Sequence, residues 1–537
     1  MSYDLAELPD DTTALKSMLF DLASSHTDLE KENQIKQTHI KFLEDRIRLL
    51  QNELFGRKTE KRPAPESDQH QLLLFNEAEA PIDSTVLEDP EINVPAHTRK
   101  KRGRKPLPED LPRIDVIHDL TDEEKVCGCG SEMSRCGEEV SEKLDIVPAE
   151  MKVIRHIRYK YSCKHCEGVD SDGPTVSIAP TPVQFIPKGI ATPGLVAHIL
   201  TVKFEDALPF YRQEKIFARL GVEIPRPTMC GWAIKAAEQC QPMLSLLHKD
   251  IRSGPLINID ETPVQVMNEP GRANTTQSYM WVFRGGAPDH PVLVYQYHPT
   301  RAGHVPGEFL KGYQGYIQTD GYTGYDALGR RPGIYHVGCW AHARRKFMDV
   351  IKAGAGGGKK GHADTALDYI GKLYAVEKSA KADKINADQI VVLRRGTSEP
   401  VLSEFKIFLE ALSQRTPPKG LLGKAVSYTL KQWNLLVRYL ENGHITPDNN
   451  MAENAIRPFV LGRKNWLFSG HPNGAHASAA LFSLIETAKA NGLKPYFYLR
   501  YLFSRLPLAS TASDYKALLP QHLTPVQIER AVATAVY

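Results

Sequence analysis

The chain has 537 residues, 42% of them hydrophobic, and a formal net charge of only +3. That is room for roughly three to five domains with real cores, and it excludes a protein held to nucleic acid by bulk charge alone. No apolar run approaches the ~20 residues of a membrane-spanning helix, and the opening MSYDLAELPDD has no basic-then-apolar leader, so a soluble, cytoplasmic protein without a membrane partner is expected.

In chain order, the first element is a long helix within a region 1–60. Leu29, Ile40, Leu43, Ile47, Leu50 and Leu54 fall on one 4-3 seam, with Asn33 and Lys36 as its polar members. A seam of that period predicts a coiled coil, and hence a homo-oligomer. An amphipathic helix packed on its own domain would carry the same pattern.

Residues 61–112 are rich in Pro, Glu and Asp before turning basic, which predicts a flexible linker. At its end RKKRGRK holds six basic residues in seven. Arg102, Gly103, Arg104 and Lys105 followed by Pro106 have the form of an AT-hook, an extended segment that seats arginine in a narrow minor groove. A basic tether touching only phosphates is the plainer alternative.

Region 113–175 carries five of the eight cysteines. That concentration points to a metal site in a reducing compartment rather than to a disulfide scaffold. Cys163 and Cys166, two residues apart, suit one side of a tetrahedral zinc site, with Cys127 and Cys129 as the other side. Cys136 is an alternative to one of the latter, and His165 is read as a non-ligand. The stretch EKLDIVPAEMKVIRHIRYKYSC between the pairs alternates as strands of a zinc ribbon would.

Region 176–250 reads as helices, including a helix-turn-helix that would offer Thr228, Trp232 and Lys235 to a DNA groove. Two ordinary packed helices would look similar.

From 251 the pattern changes to strands. LINIDETPVQV is an apolar strand broken by Asp260. SYMWVFRGG and HPVLVYQYHP follow at hairpin spacing, then GYIQTDGYTGYD with Asp320 at a strand end, then IYHVGCW and a basic helix. This order suits a ribonuclease H-like α/β core, in which the first and fourth strands lie side by side and bring their acids together. A carboxylate inside an apolar strand is costly unless something compensates its charge. Two such groups suit divalent magnesium, or manganese, in a two-metal site. Glu453, in DNNMAENAIRPFVLGRKNWLFSG, is the candidate third ligand. Asp448 is its rival, and Glu261 and Asp326 are weaker ones expected to face solvent. Arg457, Arg463 and Lys464 would contact phosphates. Trp466 would pack rather than stack on a base. Cys339 and His342 are either a second metal pair or, more simply, a core pair.

The segments INIDETPVQV, YIQTDGYTGYD, VGCWAHARRKF and DNNMAENAIRPFVLGRKNWLFSG strongly resemble the DDE transposases of the bacterial insertion-sequence-sixty-six family. So do ELFGRKTEK, RGRKPLPEDLPR, the cysteine region and the tail SLIETAKANGLKPYFYLRYLFSRLP, in the family's order. Two positions depart from its pattern: Cys127 and Cys129 are closer than usual, and Asn454 stands where an arginine is common. The resemblance implies a multidomain α/β transposase acting on double-stranded DNA at element ends and target, in the nucleoid of a bacterium. It implies Asp260, Asp320 and Glu453 as the acidic triad and a helical insertion at 353–445 between core parts 251–352 and 446–490. It also implies a C-terminal element at 491–537 and accessory proteins encoded beside it. A non-catalytic DNA-binding regulator and a structure-specific nuclease of the same fold are the competing readings. The acids argue against the first, and the number of end-binding modules against the second.

Overall fold

A computed structural model describes residues 11–55, 151–162, 176–353 and 361–534. Two compact units are distinguished, Met1–Glu60 with His156–Tyr537, and Lys61–Arg155. The basic residues Arg102, Arg104 and Lys105 and the cysteines Cys127, Cys129, Cys163 and Cys166 lie outside the described residues.

Helix α1 runs Thr12–Phe55 and packs against a later helix, α7. Leu49 is buried, but the seam residues Leu29, Ile40, Leu43, Ile47 and Leu50 stay exposed. The strand pattern expected across 142–163 is corrected in its described part. Residues 151–159 have no regular structure, and only β1 (Lys160–Ser162) pairs, antiparallel to β2 (Val176–Ile178). Among the described residues no strand pairs with 151–159, and alternation alone does not make one.

Four helices follow: α2 (Pro193–Phe204), α3 (Phe210–Arg219), α4 (Arg226–Gln239) and α5 (Gln241–Asp250). Thr192 caps α2 through Leu195 N–H, with Pro193 in the first turn, where a missing N–H costs nothing.

The central sheet is built from β3 (Leu256–Val266), β4 (Gln277–Ala287), β5 (His290–His298), β6 (Gly315–Gln318) and β7 (Ile334–Val337), with the short helix α6 (His304–Phe309) between β5 and β6. Its strand order is β5-β4-β3-β6-β7. β3, β4 and β5 form an antiparallel meander, and β6 and β7 run parallel to β3. The first and fourth strands are therefore neighbours. β3 is buried continuously from Leu256 to Ile259 and alternates only beyond, as a central strand covered on both faces should.

After β7 come α7 (Trp340–Ala353), α8 (His362–Ala382), α9 (Ala387–Ser413), α10 (Leu421–Lys431) and α11 (Trp433–Leu436). They share a core of Trp340, Phe347, Ile370, Phe405, Leu409 and Tyr439. Asn386 and Gln389 cap α9 reciprocally. Arg394, only 1% exposed, fastens this layer to the chain that returns to the sheet. It pairs with Glu377 through two 2.8 Å bonds and donates to the carbonyls of Tyr439, Asn442 and Ile445 at 2.6, 3.0 and 2.8 Å.

The returning helix α12 (Asn450–Trp466) lies over β3 and β4. It is held at both ends. Leu467 turns the chain with φ 63, and β8 (Phe468–Ser469) then pairs in parallel with Gln265 and Val266 of β3. A non-glycine residue in that region costs about 1–3 kcal/mol, accepted where the surroundings over-determine it.

At the other end a buried amide cluster fixes the register. Asn258 Nδ2 donates to Gln318 Oε1 at 2.9 Å and to Asn449 Oδ1 at 3.0 Å. Asn449 Nδ2 donates to Ile259 O at 2.9 Å, and Gln318 Nε2 to Gly338 O and Thr446 O at 3.2 and 2.8 Å. All three amides are buried.

The last helices are α13 (Pro472–Ala490), α14 (Pro495–Arg505), α15 (Ala512–Ala517) and α16 (Pro525–Thr534). α13 covers β5, the edge strand. Ser483 Oγ accepts from Tyr295 N–H at 2.8 Å, and Thr487 Oγ1 both accepts from Leu293 N–H and donates to Leu293 O at 3.0 Å. The helical i, i+4 spacing matches the strand's i, i+2, so one helix satisfies an edge that would otherwise stay open to pairing.

Two outcomes are expected. Arg394→Ala strands Glu377 and three carbonyls, and should cost about 3–5 kcal/mol in urea unfolding. Loss within the range of a surface substitution would show the clamp to be idle. Asn258→Ala and Asn449→Ala should each cost about 1–3 kcal/mol and couple by about 0.5–3 kcal/mol in a double-mutant cycle. Simple additivity would mean that the amides act independently.

Candidate active site

Each of the three acids singled out in the sequence stands a short step from one of the buried amides. Asp260 is two residues beyond Asn258 on β3, and Asp320 is two residues beyond Gln318, just past the end of β6. Glu453 is in the first turn of α12, which Asn449 precedes. Asn258 and Gln318 are register partners in the parallel β3–β6 pair, which brings Asp260, within β3, beside Asp320, just past the end of β6.

Their proximity is visible in the Asp260 carboxyl. Burial first, then the negative charges of Glu261, Asp320 and Glu453, push it up to about 8, against a single backbone N–H bond from Glu261 at 2.9 Å. Asp320 Oδ1 accepts from Tyr322 N–H at 3.0 Å. Glu453 turns towards α7, with His342 Nδ1 at 3.8 Å from Oε1 and Arg345 Nη2 at 3.6 Å from Oε2. The three carboxylates act on one another without their oxygens closing into one cluster within 4.8 Å among the described residues, and Asp260, pushed up by burial first and by its acidic neighbours second, is short of positive charge. Carboxylate oxygens are the donors a hard divalent cation takes, and one bound beside Asp260 would reverse that shift.

The rival acids are placed elsewhere. Asp448 is buried, and its Oδ1 accepts from Asn450 N–H at 3.1 Å, at the start of α12. Asp326 is exposed. The expectation that Glu261 faces solvent is corrected: its side chain is 1% exposed and accepts from Arg301 Nε and the Tyr325 hydroxyl. Successive strand residues point to opposite faces, so the acid beside Asp260 is an internal ion pair on the other side of β3.

Of the groups expected to touch DNA, Arg457, Lys464 and Lys235 are exposed and Thr228 is half-buried. Arg463 is half-buried and donates to Thr262 Oγ1 at 3.2 Å. Trp232 is corrected: it is buried, at 5% exposure, and cannot enter a groove. α4 packs against α13, α3 and α2, and that core claims the tryptophan. Trp466 packs as expected, edge-on to Phe459 at 5.3 Å with Lys203 Nζ 5.3 Å from its ring centre.

Asn258 and Gln318 were invisible as functional residues in the sequence. Each is a polar residue in an apolar strand, two positions before an acid, and that coincidence was the available signal. His336 is a further hidden member. Its Nε2 lies 2.8 Å from Thr319 Oγ1, and burial holds its pKa down to about 4, so the ring is neutral beside Asp320.

Comparison with known proteins follows the same chain segments. Residues 188–477 match the transposase IS66 family, and residues 124–167 match the zinc-finger binding domain of transposase IS66. Residues 42–116 match the model described as transposase C of IS166 homeodomain, and residues 483–521 the IS66 C-terminal element. An uncharacterized protein of Sinorhizobium fredii, y4jD, is 35% identical over 444 residues, covering 79% of this chain and 83% of the relative. A second from the same organism, y4qI, is 28% identical over 552 residues, covering 98% and 99%. Among the described residues, no helix is long and apolar enough to cross a membrane. With the main family model spanning the sheet, the helical layer and all three acids, and three further models flanking it, this chain belongs to the IS66 transposase family.

Proposed function

We propose that the protein binds the ends of an insertion sequence and catalyses divalent-metal-dependent strand cleavage and strand transfer, with Asp260, Asp320 and Glu453 as the ligands of the metal. The observation that carries this reading is the parallel register of Asn258 with Gln318, two residues before Asp260 and Asp320, with Asn449 bonded to β3 four residues before Glu453. The strand order β5-β4-β3-β6-β7, with acids on the first and fourth strands, supports a ribonuclease H-like core with a helical insertion before the third acid.

Magnesium or manganese bound there supplies Lewis-acid activation of a water or 3′-hydroxyl and charge neutralisation at the leaving oxygen. The chain's own part is to carry three half-buried carboxylates on two neighbouring strands and an anchored helix, with Glu453 turning from His342 and Arg345 towards the aspartates when the metal binds. Hydrolysis at the element end would free a 3′-hydroxyl, which then attacks a target phosphodiester. The exposed Arg457 and Lys464 lie on the same helix as Glu453 and are placed to hold backbone phosphates. Arg463 supports the geometry from Thr262 rather than reaching outward.

The segments outside the described residues fit the same function. A structural zinc on Cys127, Cys129, Cys163 and Cys166 would order the finger-like region, and Arg102, Arg104 and Lys105 would add a minor-groove or phosphate contact. The exposed seam of α1 is the surface on which a second copy would zip, giving a homo-oligomer able to hold two ends at once. Accessory proteins of the same element are a further class of partner.

The reading is tested by a magnesium-dependent cleavage and joining assay on element-end duplex DNA. Asp260→Asn should lose more than the ~100-fold that removal of an outer-shell metal partner costs. Activity retained in that variant would remove Asp260 from the chemistry. Cleavage without joining would favour a nuclease, and binding without cleavage a regulator. For the seam, Ile40→Asp with Ile47→Asp should shift the full-length chain towards monomer in sedimentation. An unchanged oligomer would place its interface elsewhere.

A further inference from the structure

Glu453 faces two ways. One neighbourhood is the aspartate pair, and the other is the Cys339-x-x-His342 turn at the start of α7. Ligand atoms of Cys339, His342 and Glu453 all lie within 4.8 Å of one another. The gap between His342 Nδ1 and Glu453 Oε1 is 3.8 Å, and both atoms are buried without a hydrogen-bond partner.

That distance is informative. A charge-assisted hydrogen bond would close it to about 2.7–2.9 Å. A nitrogen and an oxygen ligand on one tetrahedral zinc stand about 3.3–3.5 Å apart, the edge length set by bonds of about 2.0–2.2 Å. The pair at 3.8 Å is thus too far apart to satisfy each other and a few tenths of an ångström from the spacing at which both would hold one ion.

The third ligand is prepared as well. Cys339 is buried, and its Sγ accepts backbone N–H bonds from Asn449, at 3.2 Å, and from His342. Such donors stabilise a thiolate once a metal has displaced the thiol proton. Arg345 engages the other carboxylate oxygen, Oε2, at 3.6 Å, which leaves Oε1 for the ion. Its positive charge opposes a cation here, while Asp320 and Asp448, whose negative charges are felt at His342 and Cys339 respectively, favour one.

We propose that Cys339, His342 and Glu453 form a binding site for a borderline-soft divalent cation, zinc above others, and that its occupancy withdraws Glu453 from Asp260 and Asp320. The donor set makes the choice of metal: thiolate, imidazole and carboxylate suit zinc, whereas magnesium takes oxygen ligands. The bound ion displaces one proton from the Cys339 thiol to solvent. Three protein ligands leave a fourth position for water. The withdrawal rests on the reading of the three acids as a hard-metal site; the zinc site itself does not. The consequence is a reversible brake, in which zinc and magnesium compete for one carboxylate.

The test uses the full-length chain and two measurements. Zinc content per chain after dialysis is compared for the wild type, Cys339→Ser and His342→Gln, with Cys163→Ser marking the finger region separately. Each of the first two variants should hold one zinc fewer than the wild type, with melting curves confirming that they fold. Equal content in the wild type and both variants would overturn the site. The second measurement is manganese binding by electron paramagnetic resonance. Zinc should release manganese from the wild type, and Cys339→Ser should need at least tenfold more zinc for the same release. Zinc lost from the variants without any effect on bound manganese would overturn the competition and leave a structural site. Manganese binding that is absent, or indifferent to Asp260→Asn, would overturn the acid-triad reading and with it the brake, while the zinc count alone would still decide the site.

Discussion

The buried amide cluster of Asn258, Gln318 and Asn449 is the constraint on which the rest depends. An amide in a core is costly unless its donors and acceptors are met. Here each finds its partners only when β3, β6 and the start of α12 are in one particular register. A slip of one residue between β3 and β6 would break Asn258 from Gln318 and turn one of the two following acids to the opposite face from the other. The same bonds that make the core polar thus forbid the arrangements in which the acids would part.

The helical layer between α7 and α12 has a matching role. A long excursion from the sheet would deliver α12 loosely, because loop ends are free to wander. Arg394 removes that freedom by binding three carbonyls in the returning segment while paired to Glu377. Beyond Glu453, the pairing of β8 with the far end of β3 anchors α12 a second time. Glu453 is therefore carried on a helix fixed at both ends, although the chain reaches it last.

The cost of this precision is electrostatic. Burial, reinforced by the like charges of Glu261, Asp320 and Glu453, raises the Asp260 carboxyl to about 8. The nearby cation, Arg345, attends to Glu453 instead. On the proposed reading a divalent cation offsets that cost, and the neighbouring Cys339 and His342 offer Glu453 a second one.

Much of this was legible in the sequence because patterns of local origin record it. Apolar strands at hairpin spacing, acids interrupting them, a 4-3 seam and a cysteine cluster are all set by residues near one another in the chain. They sufficed to rank Asp260, Asp320 and Glu453 above Asp326, which is exposed. What failed was whatever depends on a distant partner. Trp232 seemed available to DNA because its helix was read without the neighbours that bury it. Glu261 seemed solvent-facing because Arg301 and Tyr325 approach it from other elements. The alternation at 151–159 promised a strand that finds no neighbour. By itself the sequence determined most of the elements, which periodicity carries, and the family, which its long motifs carry. Only the tertiary structure decided which polar groups meet: Asn258 with Gln318 and Asn449, Arg394 with the returning chain, and Glu453 with both the aspartates and the Cys339–His342 turn. Hydrogen bonds and charges act over a few ångströms, and those ångströms separate residues that lie up to hundreds of positions apart in the chain.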